Sequence, residues 1–207
     1  MTAAPKYTPK IALIVGSTRA ARFADIPAQW MLKQVRERGD IEVELLDLRD
    51  FNLPFFDEVA SNMWVPSQSP EAVHWQNTIE RFDGFIFVLP EYNRSLPAVL
   101  KNALDHAYKE WVRKPFTAIA YGGVGAARAL EHLRTIGVEL QMISTHAAVH
   151  IGGADFFKVF PAGGNQPIET IEQSLIPSAK TALDELVWLA RATRAARMED
   201  AAEAMAE

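Results

Sequence analysis

Three short, almost wholly apolar runs at residues 11–15, 85–89 and 116–120 constrain this chain most. Runs of that length without polar alternation belong to strands covered by helices on both faces. The stretches between them are amphipathic, so βαβ units around a parallel sheet are the expected architecture. Strand 1 is read as residues 10–15, followed by a loop at 16–23 and a helix over 24–38. That helix has Ile26, Trp30 and Val35 on one side and Gln29, Lys33 and Arg36 on the other, and Gly39 ends it. Strand 2, residues 41–48, alternates Ile41, Val43 and Leu45 with Glu42 and Glu44. One wet face suits an edge strand and favours the order 2-1-3-4-5.

Residues 53–69 read as a long loop with an exposed Trp64, and Pro70 opens a helix ending near Arg81. Strand 3 is expected at 84–89, a helix at 97–109, strand 4 at 115–120, and a helix at 126–136 closed by Gly137. Strand 5 falls within 145–151. A last helix over 167–196 carries Leu175, Ala179, Leu183, Leu186 and Ala190 on one face. The whole is a doubly wound five-stranded α/β sheet in one domain of 207 residues, with flexible tails expected at 1–9 and 198–207.

The charge of −5 and scattered Lys and Arg argue against a nucleic-acid partner. Cysteine is absent, which excludes disulfides, iron–sulfur ligation and a thiol nucleophile. No run approaches the ~20 apolar residues of a membrane span. Residues 11–15 are too short for a signal peptide, and Gly16-Ser17-Thr18-Arg19 follows where a cleavage site would stand, so a cytoplasmic location is expected. The five histidines are spread out and suggest no metal site.

In such sheets ligands sit beyond the carboxyl ends of the strands. The first loop brings Ser17, Thr18, Arg19 and Arg22 to a helix N-terminus, which favours a phosphate over a merely solvated turn. No Gly-Lys-Ser/Thr follows, so a nucleoside triphosphate is not expected. The second loop, Pro90-Glu91-Tyr92-Asn93-Arg94-Ser95-Leu96-Pro97, offers a flat ring an aromatic surface and an amide; alone it fits an ordinary Asx-type turn at least as well. The third, Tyr121-Gly122-Gly123-Val124-Gly125, allows close approach of backbone to a ligand. It is not a Rossmann fingerprint, because Arg128 takes the last required position and the loop follows strand 4.

These three segments, with Leu100-Lys101-Asn102-Ala103-Leu104-Asp105 after the second, resemble the NADPH-dependent FMN reductase family of the flavodoxin-like superfamily, over roughly residues 10–151. The resemblance implies FMN, with NADPH or NADH as co-substrate and a small-molecule oxidant such as a quinone, azo dye, metal oxyanion or free flavin. Ser17, Thr18, Arg19, Arg22 and Phe23 would surround the phosphate, Arg22 standing in for groups that Ala20 and Ala21 do not supply. Pro90, Glu91, Tyr92 and Asn93 would line the isoalloxazine, and Gly122 and Gly123 would approach its pyrimidine side. Hydride would pass through flavin N5 in a ping-pong cycle that needs no catalytic side chain. A homodimer or homotetramer is implied, with Trp64, Trp111 and residues 53–56 as interface candidates. A flavodoxin-type electron carrier and a flavin-binding module are the alternatives.

Overall fold

A computed structural model describes residues 7–206. In chain order the strands and helices are β1 (Lys10–Val15), α1 (Asp25–Arg38), β2 (Glu42–Asp47), α2 (Pro70–Glu80), β3 (Gly84–Pro90), α3 (Ala98–Asp105), β4 (Pro115–Tyr121), α4 (Ala127–Glu139), β5 (Ile143–Ser144), β6 (Val149–Ile151), α5 (Gly153–Val159) and α6 (Glu172–Ala204). All strand pairs are parallel, in the order β2-β1-β3-β4, with β5 and β6 both pairing the far side of β4. This is the flavodoxin-like order 2-1-3-4-5, with β2 at the edge as its half-wet pattern predicts.

β3 and β4 are buried at every position because both faces are covered. Ile11, Leu13, Val15, Ile86, Val88 and Ile119 meet α1 and α6, where Leu175, Ala179, Leu183, Leu186 and Ala190 form the expected buried face. Ala12, Ile14, Phe85, Phe87 and Phe116 point the other way, onto Trp75, Leu104 and Trp111. Trp111 is 0% exposed and is core, not interface; its indole donates to the Leu104 carbonyl at 3.3 Å. Trp64, by contrast, is 75% exposed.

Several boundaries differ from those read in the sequence, each for a packing reason. Ile26 faces solvent, since Trp30, Met31 and Val35 already fill the groove over the sheet. α3 stops at Asp105, and the chain turns to send Trp111 into the core. Gly137 lies inside α4 rather than ending it: a Cβ there would sit 2.7 Å from the Phe116 ring, so glycine lets the helix approach β4. The fifth strand is split, because side chains claim the backbone between its halves. Thr117 donates to the Ala147 carbonyl at 3.0 Å, and Glu185 accepts the Ala147 amide at 3.0 Å. α5 was not foreseen.

The last helix runs past residue 196, where the sequence pattern ended it. α6 is helical through Ala204, tied back by an Arg113–Asp200 ion pair and by Arg197 donating to the Arg113 carbonyl at 2.8 Å. Tyr7 donates to buried Asp83 at 2.8 Å and lies under the Arg194 guanidinium, while residues 1–6 fall outside the described residues. Among the described residues no helix is long and apolar enough to cross a membrane.

Beside this cluster Lys114 is buried and donates to the Glu80 carbonyl at 2.9 Å. Burial pushes its ammonium down to about 8, Arg197 adding to the effect and Asp83, Glu80 and Glu110 opposing it. The unfolded chain, with an ordinary lysine near 10.4, therefore binds more protons between those values, and stability rises with pH there. Relative to Lys114→Met, the native protein should gain up to about 3 kcal/mol in urea unfolding between pH 7.5 and 10.5. A pH-independent difference would mean that Lys114 titrates normally.

Candidate functional site

The three loops leave the sheet at one edge, each pinned by a bond to the neighbouring strand. The Gly16 amide donates to the Val88 carbonyl at 2.9 Å, Glu91 to Tyr121 at 3.1 Å, and Gly122 to Ile151 at 3.1 Å. Side chains predicted from separate parts of the sequence therefore meet there.

In the first loop the two arginines divide the work. The Arg22 side chain is only 4% exposed and is committed to protein. It donates to Asp47 at 2.7 Å, to Asp25 at 2.8 Å and to the Ser17 carbonyl at 2.7 Å. It is thus a clasp between β1, α1 and β2, not the free phosphate ligand expected. The hydrogen bond to Asp47 raises the guanidinium's pKa further, despite burial. Burial pushes Asp47 up, but Arg22 and Arg49 outweigh it and hold its carboxyl below the usual value. The clasp's stability is then full above a carboxylate's ordinary pKa near 4 and is lost as pH falls through the lowered one.

Phe23 also turns inward, its ring edge-on to Tyr121 at 5.1 Å and to Phe156 and Phe160 at 6.0 Å each. Thr18 and Arg19 stay exposed. Arg49, which the sequence reading missed, follows β2 and donates to the Arg19 carbonyl, with a longer contact of 3.5 Å to that of Thr18. With loop carbonyls drawn toward Arg49, Thr18 and Arg19 remain at the exposed side of the loop.

The second loop is a tight hairpin. Tyr92 and Ser95 exchange backbone bonds at 2.9 and 3.1 Å across Asn93 (φ 49°) and Arg94 (φ 73°), the geometry of a type I′ turn. The Tyr92 hydroxyl pairs with Ser17 Oγ at 3.1 Å, and Arg19 lies 5.6 Å above the Tyr92 ring. This contact joins the first and second loops. Pro90 is buried at the end of β3. The Glu91 side chain does not face the opening: it pairs with Arg128 and accepts the Arg128 amide at 3.2 Å, clamping the second loop to α4.

The third loop is shaped by close backbone contact. Gly125 (φ 67°) and Ala126 (φ 54°) are left-handed, and a Cβ on Gly152 would come 2.5 Å from the Gly125 nitrogen. His150 Nδ1 in β6 lies 2.6 Å from the Gly125 carbonyl, so β6 and Gly152 after it brace this loop. A Cβ on Gly122 would sit 3.5 Å from the Glu91 Cβ, whereas one on Gly123 would meet nothing within 4 Å. Gly123 therefore fronts open space of the kind a flat ligand fills. At the end of β4 the Tyr121 hydroxyl, near Tyr92, Arg22 and Arg19, is buried without a partner among the described residues. Burial raises its pKa, Tyr92 adding and Arg22 and Arg19 opposing, so it stays a protonated donor.

Lys101, Asn102 and Asp105 do not join this edge. Lys101 pairs with Asp105 at 2.8 Å, while Asn102 brackets the long loop, donating to the Pro54 carbonyl at 2.7 Å and accepting the Phe56 amide at 3.0 Å. His106, which follows α3, touches the Pro54 carbonyl at 2.8 Å.

The profile of the NADPH-dependent FMN reductase family matches residues 9–155, which contain all three loops. An NAD(P)H-dependent FMN reductase of Schizosaccharomyces pombe is 37% identical over 139 residues, covering 66% of this chain and 70% of the relative. A 2-hydroxy-1,4-benzoquinone reductase of a Burkholderia species is 33% identical over 142 residues, 65% of this chain and 73% of its own. The structure of the flavoenzyme NAD(P)H:(acceptor) oxidoreductase FerB from Paracoccus denitrificans superposes with a TM-score of 0.64 at 23% identity, covering 86% of this chain and 97% of FerB.

The two arginines should separate by mutation. Arg22→Ala should cost about 2–3 kcal/mol in urea unfolding, less than a fully buried pair because Asp25 is half in water. Arg19→Ala should stay within about 0.5 kcal/mol of the parent. Equal losses would contradict the clasp.

Proposed function

The chain belongs to the NADPH-dependent FMN reductase family, and from that premise we propose an FMN-containing oxidoreductase that takes electrons from NADPH or NADH and reduces a small oxidant. A quinone is the oxidant class best supported, given the quinone reductase among its relatives; azo compounds, metal oxyanions and free flavin fit the same open site. The observation that carries this reading is the meeting, at one sheet edge, of an anion loop and a glycine loop with open space over Gly123.

FMN, when bound, supplies the hydride chemistry. Ser17, Thr18 and Arg19 would hold its phosphate with charge-assisted and backbone bonds. Pro90, Tyr92 and Asn93 would line the ring, Glu91 keeps that loop in place through Arg128, and Gly122 and Gly123 would give the ring room. The two carboxylates nearest these loops are already committed, Glu91 to Arg128 and Asp47 to Arg22. Such a site suits a cycle in which nicotinamide and oxidant use the same open face in turn, a ping-pong order with no catalytic side chain. Self-association as a homodimer or homotetramer belongs to this reading, through the exposed Phe55 (84%) and Trp64 of residues 53–69.

Flavin fluorescence quenching should report FMN binding, and the loaded protein should oxidise NADPH or NADH with a benzoquinone. Gly123→Val should weaken FMN binding by about tenfold, roughly 1.4 kcal/mol. It should leave the thermal midpoint of the flavin-free protein unchanged, because the added side chain meets open space. Flavin binding without nicotinamide oxidation would favour an electron carrier, and no flavin binding would overturn the proposal. Sedimentation of the wild type and Trp64→Ser should show an oligomer that the substitution weakens.

A further inference from the structure

Arg94 occupies an expensive position. In a type I′ turn both central residues take positive φ, which Asn tolerates and Gly prefers, so the favoured pair is Asn-Gly. Here Asn93 fills the first place at 49°, but arginine fills the second at 73°. An L-residue with a long side chain is disfavoured there, and such strain collects at functional sites. The turn is rigid nonetheless. Two backbone bonds close it, Pro90 and Pro97 bracket it, and Ser95 Oγ is 2.9 Å from His132 Nδ1 on α4.

The side chain also lacks a structural use. Arg22 is committed to Asp25 and Asp47, Arg49 to the first-loop carbonyls, and Arg128 to Glu91. Arg94 is exposed and makes no hydrogen bond or ion pair among the described residues. A full guanidinium fork is therefore held on a rigid stalk one residue beyond Asn93, at the rim of the opening. The first loop already offers the exposed Thr18 and Arg19 to the flavin phosphate. A nicotinamide over the open face must lead its dinucleotide tail out across the rim, and the anionic groups of that tail are phosphates. Guanidinium matches phosphate bidentately, and an arginine near the ribose is one way a site accepts a 2′-phosphate.

We propose that Arg94 binds a phosphate group of the nicotinamide dinucleotide and so sets the protein's affinity for its reductant. The proposal rests on the FMN and NAD(P)H reading above. Arg94→Gly is the direct test, since glycine is the residue the turn itself prefers; Arg94→Asn, which also tolerates the left-handed region, is the second variant. With FMN loaded, the KM for NADPH should rise about tenfold with kcat little changed, a tenfold effect corresponding to about 1.4 kcal/mol. Calorimetric titration of NADP⁺ should show the same loss. The KM for NADH stays put if the contact is to the 2′-phosphate and rises in parallel if it is to the pyrophosphate. FMN affinity should be unchanged, and the thermal midpoint of the glycine variant should be equal or higher, the reverse of what a structural role predicts. Unchanged KM values for both nucleotides in well-folded variants would overturn the proposal, as would a loss of FMN binding, which would put Arg94 at the flavin. A wild type that binds no FMN, or binds it and oxidises neither nucleotide, would instead overturn the underlying reading, and this one with it.

Discussion

The site depends on three backbone hydrogen bonds at the carboxyl edge of the sheet, in which the amides of Gly16, Glu91 and Gly122 donate to carbonyls of the neighbouring strands. Parallel strands point their carboxyl ends the same way, so whatever follows them is delivered to one edge. The pairing of Tyr121 with Pro90 on one side and Ile151 on the other brings the strand ends level. Loops far apart in sequence thereby share one opening. Burial of β3 and β4 on both faces makes this level edge stiff, since a register slip would carry apolar side chains out of the core.

On that edge the charged groups mostly build the site. Arg22 ties the first loop to α1 and β2, Arg49 draws the loop carbonyls to itself, and Glu91 with Arg128 locks the second loop to α4. What remains is a hydroxyl pair at Ser17 and Tyr92, the loosely held Arg19, the bare surface of Gly123 and the buried Tyr121 hydroxyl. A site of that kind binds a ready-made reagent and shapes access to it, in keeping with chemistry carried by a cofactor. Asn93, Arg94 and Ala126 in these loops have positive φ, as do Asn52, Arg113, Gln141 and Asn165 elsewhere in the chain.

The strands, their order and the loops that matter were legible because each has a local chemical cause. Unbroken apolar runs specify doubly covered strands, the Glu42 and Glu44 alternation marks an edge, and glycines or prolines end strands where loops begin. The same local logic misjudged Gly137, whose purpose is to clear the Phe116 ring, and the end of the last helix, which runs past 196 to Ala204 where Arg113 meets Asp200. Neither partner lies near in sequence, so no window along the chain contains the reason.

By itself the sequence determined a parallel sheet, the edge at which ligands gather and the residue types present there, because periodicity and strand polarity are properties of short segments. Only the tertiary structure decided what each of those residues does. Arg19 and Arg22 sit three positions apart in one loop and look alike as letters. One meets two carboxylates and a carbonyl and becomes a buried clasp, while the other lies over a tyrosine ring and stays free for a ligand. Asp47 and Tyr92 make that difference, and both reach the loop from other strands, so the division of labour exists only after the chain has folded.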